Sequence, residues 1–131
     1  MERMNVKFLN VDLEIESAEN LQPIVDEFGE DEVSVLYHGK RVNDFNFASF
    51  MISDGYQTGA NEIISSFCNL IENLSAESRL IWNKCHSKRF DAGFQSGDFP
   101  RSYQTEIRAD TIERVTKLGA SIALTIYPTG E

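Results

Sequence analysis

The chain has 131 residues, 41% of them apolar and 25% charged, and a formal net charge of −9 at neutral pH. That composition belongs to a globular domain with a core of its own; it excludes a disordered segment, and no apolar run is long enough for a membrane-spanning helix. The acidity argues against nucleic acid and anionic membranes as partners, since both are held by positive charge.

The N-terminal residues hold no apolar stretch followed by a small-residue cleavage site, so no secretion signal is expected and the chain reads as cytoplasmic. Residues 9–16 alternate strictly, with Leu9, Val11, Leu13 and Ile15 on one side and Asn10, Asp12, Glu14 and Glu16 on the other. This is the period of a half-buried strand. Leu21, Ile24, Val25 and Phe28 then follow helical spacing, with Asn20 as a candidate cap, Pro23 in the first turn and Gly29 as the stop. Residues 33–38 read as a second strand. With a helix between them, the first two strands are expected as a parallel pair joined by a crossover.

A turn at residues 39–41 leads into a third strand over 42–53, and the glycines at 55 and 59 mark residues 54–61 as a loop. Ile63, Ile64, Phe67, Cys68, Leu70, Ile71 and Leu74 trace the broad apolar stripe of a buried helix. Ser75 caps a further helix carrying Leu80, Ile81 and Cys85. Phe90 and Phe94 suggest a fourth strand, residues 96–100 a turn and residues 102–108 a fifth strand. Asp110 and Glu113 resemble a capping box ahead of a helix that ends at Gly119. Residues 121–127 are apolar on both faces and so read as a central strand. The expectation is a single α+β domain over 1–131: a mixed sheet of about six strands packed with about four helices.

The sequence offers little for catalysis. His38 and His86 are the only histidines, and a hydrolase would need both rings on one substrate. The bland alternative places His38 at a strand end and His86 near a helix C-terminus, where a cation suits the dipole. Cys68, Cys85, His38 and His86 supply zinc-ligand types without the spacing of any finger or ribbon, so no metal and no cofactor is expected. The two cysteines read as reduced, buried thiols. No phosphate-binding glycine loop or nucleophile elbow is present. Lys84, Lys88 and Arg89 form a short basic patch that reads first as a solvated helix end, with a partner for the acidic segment or a minor anion site as alternatives.

The charge distribution is more informative. Residues 12–32 hold nine of the 21 acids and none of the twelve bases, while the other twelve acids balance the bases of the remaining chain. A purely solvated face would interleave Lys with Glu. A one-sided cluster repels itself, and a cationic partner relieves that cost and is steered toward it. Asp12, Glu14, Glu16, Asp26, Glu27, Glu30, Asp31 and Glu32 are therefore the candidate partner-binding residues, beside the plainer reading of a solubilising face.

Three stretches, Phe-Leu-Asn-Val-Asp-Leu-Glu-Ile-Glu-Ser at 8–17, Phe-Asp-Ala-Gly-Phe-Gln-Ser-Gly at 90–97 and Leu-Gly-Ala-Ser-Ile-Ala-Leu-Thr-Ile-Tyr-Pro at 118–128, resemble small uncharacterised acidic bacterial α+β proteins. Such proteins are similar to the immunity proteins of bacterial toxin systems, contact-dependent growth inhibition included. The resemblance implies a non-enzymatic binder that neutralises a basic, nuclease-type toxin domain. The alternatives are a small hydrolase using His38 and His86, or a homodimeric adaptor joined through a sheet edge.

Overall fold

The computed structural model describes residues 4–53, 58–98 and 101–129. In chain order it contains β1 (Lys7–Ser17), α1 (Gln22–Phe28), β2 (Val33–Lys40), β3 (Asn46–Ile52), α2 (Ala60–Glu72), α3 (Ala76–Lys84), β4 (Ser87–Gln95), α4 (Ala109–Lys117) and β5 (Ser121–Tyr127). The fold class is α+β, with one five-stranded mixed sheet in the order β2-β3-β1-β4-β5 and four helices among the described residues. Only β4 and β5 pair in parallel; the other three pairings are antiparallel.

The alternation in β1 holds from Val11 onward; ahead of it a register shift between Phe8 and Asn10 leaves Leu9, expected on the buried side, exposed. Val11, Leu13 and Ile15 are fully buried, while Asp12, Glu14 and Glu16 keep partial contact with water on the other side. Buried residues from all four helices join these three in one core cluster, so the helices lie on one face of the sheet. The largest members are Trp82, Phe50, Phe67 and Phe90, and Trp82 satisfies its indole N–H by donating to the Leu118 carbonyl at 2.9 Å. Cys68 and Cys85 are buried and unbridged, and burial pushes both thiols up to about 11.

Helix ends follow local chemistry. The cap position of α1 belongs to Leu21, without a side-chain cap; Asn20, expected there, stands one residue earlier and its Oδ1 accepts from the Gln22 N–H at 2.9 Å, while Pro23 occupies the first turn and Gly29 ends the helix at φ 72°. The Ser75 hydroxyl accepts from the Ser78 N–H at the start of α3. At α4 the cap position belongs to Arg108, without a side-chain cap. Asp110 lies inside the first turn and pairs with Arg108 at 3.2 Å, so the expected capping box does not form.

Three topological expectations are corrected. β1 and β2 are not neighbours, because β2 and β3 close a hairpin through residues 41–45 and β3 then lies between them. β3 accordingly begins at Asn46; Asp44, at φ 72°, makes the turn. Residues 102–108 form no strand: nearly all are exposed, and they serve as the run from β4 toward α4. β5, read as central from its apolar faces, is an edge strand. Lys88 and Arg89 belong to β4 and not to a helix end. Parts of two expected loops, residues 54–57 and Phe99 with Pro100, lie outside the described residues.

Candidate functional site

The face of the sheet opposite the helices carries most of the charge chemistry. Period-2 geometry puts Asn10, Asp12, Glu14 and Glu16 of β1 there, with Phe47, Ser49 and Met51 of β3 beside them on one flank. On the other flank stand Arg89, Asp91 and Gly93 of β4, and beyond these Thr125 and Tyr127 of β5. Tyr37 packs on Phe47 with ring centroids 5.9 Å apart, and the Arg41 guanidinium sits 3.7 Å from the centre of the Phe47 ring.

The three acids of β1 occupy three different electrostatic settings. Glu16 accepts from Asn43 Nδ2 at 2.8 Å and lies 3.6 Å from His86 Nε2. Glu14 is paired with Arg89, whose Nη2 and Nε both reach Oε1, at 2.6 and 3.1 Å. Asp12 forms no ion pair among the described residues; its cross-strand partner on β4 is another acid, Asp91. Desolvation, then the charges of Glu14 and Asp91, push the Asp12 carboxyl up to about 6. Thr125 Oγ1 donates to Asp91 Oδ1 at 2.6 Å. Asp12 and Asp91 line a hollow of about 320 Å³ with Leu9, Asn10, Gly93 and Tyr127, and Asn10 Oδ1 is shut from solvent there with no hydrogen-bond partner. The hollow is rich in acceptors, which suits donor-only groups such as an ammonium or guanidinium.

The remaining acids of the 12–32 segment lie elsewhere. α1 is on the helix side of the sheet, so Asp26 and Glu27 face away from Asp12, Glu14 and Glu16. Asp26 accepts from Gln22 Nε2 at 2.8 Å. Glu27 holds the start of α3: it accepts from the Ser75 N–H at 2.8 Å, the Ser75 hydroxyl at 2.6 Å and the Ser78 hydroxyl. These bonds hold its carboxyl below the usual range. Glu30, Asp31 and Glu32 are exposed in the α1–β2 connection. The eight candidate residues thus divide into three groups and do not form one continuous surface.

The histidines are not brought together. His38 is paired with Ala48 on the helix side of edge strand β2, whereas His86 lies beside Glu16 and the Phe45 ring at the start of β4. Three strand spacings, roughly 14 Å, and the thickness of the sheet separate them. No group of three or more His, Cys, Asp or Glu side chains suited to a metal ion occurs among the described residues.

Asp91, Thr125 and Tyr127 were not among the residues singled out from sequence, whereas Arg89 was, and its pairing with Glu14 fits the reading of its basic patch as a partner for the acidic segment. A signal existed for Asp91: Phe90, Ala92 and Phe94 alternate as a buried face, which assigns Asp91, with Arg89, to the other. No helix among the described residues is long and apolar enough to cross a membrane. Comparison with protein-family models, with curated proteins and with solved structures finds no match for this chain.

Proposed function

We propose that the protein is a non-enzymatic binder of a basic protein partner, of the kind an immunity protein makes with a cationic toxin domain in the cytoplasm. The observation that carries this reading is the open face of the sheet, where Asp12 stands opposite a second acid, Asp91, and its carboxyl is pushed up by burial, by Glu14 and by Asp91. Aromatic side chains at both ends of that face, Tyr37 and Phe47 at one and Tyr127 at the other, supply the flat apolar contacts common in protein interfaces. A Lys or Arg side chain entering beside Asp12 offsets the like-charge cost of the pair. The interface reads as centred on Asp12, Glu14, Glu16 and Asp91; Glu30, Asp31 and Glu32 form a second, separate acidic cluster, and Glu27 serves the fold.

The test is affinity capture with this protein and with a D12N/D91N variant, each washed at low and then high salt. A basic partner held by the wild type, released by salt and lost at least tenfold by the variant supports the reading. Equal recovery by the two proteins removes the open face from the interface.

A further inference from the structure

The two edges of the sheet are built differently. β2 carries a bulge between Val35 and Tyr37, ends in Lys40 and leads into a turn bearing Arg41 and Asp44. Bulges and charges of this kind keep an edge from pairing with another chain. β5 has none of them. Its pairing with β4 is regular from Ser121 to Tyr127, and residues 118–129 contain no charged side chain. Leu124 is 68% exposed and Ile126 67%, although their neighbours on β4, Ala92 and Phe94, are buried. They open onto an apolar groove of about 450 Å³ completed by Val6, Phe94 and Tyr103.

We propose that β5 pairs with β5 of a second copy of this chain, antiparallel about a two-fold axis through Leu124, to give a continuous ten-stranded sheet. The sequence of β5, Ser-Ile-Ala-Leu-Thr-Ile-Tyr, is nearly palindromic in character. That register sets Leu124 against its own copy and Ile122 against Ile126 of the partner subunit. Ala123 then meets Thr125 of the partner subunit, so each pair matches in face and the three central apolar positions meet apolar partners. Self-pairing also makes β5 an interior strand, the position its two apolar faces indicate.

Charge selects the occupant. A cationic partner finds nothing to pair with along β5, and an anionic one gains nothing either. Two copies that each carry −9 repel, and an uncharged edge is where they meet at least cost. The area sets the strength. Covering what Tyr103, Leu124, Ile126 and Tyr127 leave exposed removes roughly 300 Å² of side chain per copy, with the strand edge added. A standard stable interface buries about 800 Å² per partner, so the dimer is reversible and concentration-dependent.

Sedimentation equilibrium from about 10 µM to about 1 mM tests this, a range in which a small interface populates both species. The mass of the wild type rises toward twice the monomer. Association strengthens with added salt, which screens the repulsion and is opposite in sign to capture of a basic partner. L124E and L124K each weaken association at least tenfold, and mixing the two restores it, because the axis places each new charge against its opposite. Leu124 is exposed enough for both variants to fold, which circular dichroism checks. V35E, on the other edge, leaves association unchanged. A wild type that stays monomeric at about 1 mM, an L124E variant that associates like the wild type, or an L124E/L124K mixture that stays monomeric overturns the proposal. D12N/D91N, which tests the open face, leaves dimerisation intact.

Discussion

The two faces of β1 are one residue out of phase and follow different rules. On one, Val11, Leu13 and Ile15 lie at zero exposure in a core shared by every helix; on the other, Asp12, Glu14 and Glu16 each meet a different neighbour. Interchangeable apolar contacts hold the first face together, and its energy is spread over many side chains. The second face is specified pair by pair: Arg89 answers Glu14, Asn43 answers Glu16, and Asp12 meets another acid, Asp91. Stability resides on the packed face, whereas the open face is set by individual contacts between charged and polar side chains.

The largest effect that sharpens this contrast lies in the core. Trp82→Ala removes a fully buried ring and orphans the Leu118 carbonyl, and urea denaturation registers a loss of about 3–5 kcal/mol. A loss below about 1 kcal/mol would mean that the helix layer is not the stabilising one.

Glu27 comes next, as an acid that belongs to the packed side. Glu27→Ala strips the start of α3 of its acceptor and costs about 1 kcal/mol at pH 7, a value kept low because the site is exposed. Since the folded carboxyl sits below its free value of 4.5, this stabilisation is present at neutral pH and fades as pH falls through the folded value. Equal denaturation midpoints for the variant and wild type at pH 7 would return Glu27 to the set of free surface acids.

The smallest effect has the opposite sign. Asp12 titrates near 6 in the folded chain against 3.8 as a free group, so its charge weakens the fold at neutral pH. The penalty is absent below about pH 4 and complete above about pH 7, once pH has risen through the folded value. Asp12→Asn therefore stabilises the protein by roughly 1 kcal/mol at pH 7, after allowance for partial exposure, and the gain disappears in acid. Paired melts at pH 7.5 and pH 4 check the sign. A variant less stable than wild type at the higher pH would mean that Asp12 has an unrecognised cationic partner.

How much was legible depended on how local each cause is. The alternation of β1 and the stripe of α2 are repeated signals within one segment, and both elements form where the periods place them. Residues 102–108 misled because they intersperse Tyr103 and Ile107 among polar residues like a strand, yet a strand also needs a neighbour to pair with, which no local pattern reveals. The same limit hid Asp91, since its position opposite Asp12 is a matter of register between segments some 80 positions apart. Glu27 looked like one more surface acid because Ser75 and Ser78, the groups it serves, lie 48 and 51 residues further on. For β5 the pattern was read correctly as apolar on both sides, while its place in the sheet could not be read from the strand alone.

The sheet order has a consequence for how the chain is made. β1 emerges from the ribosome ahead of the four other strands and ends up in the middle, flanked by β3 and β4. At a synthesis rate of about 5–20 residues per second, the 78 positions between Ser17 and Gln95 correspond to about 4–16 s in which its second flank has no partner. During that interval the acidic half of β1 serves the nascent chain, because a strand with a carboxylate at every other position resists pairing with its copies on neighbouring ribosomes.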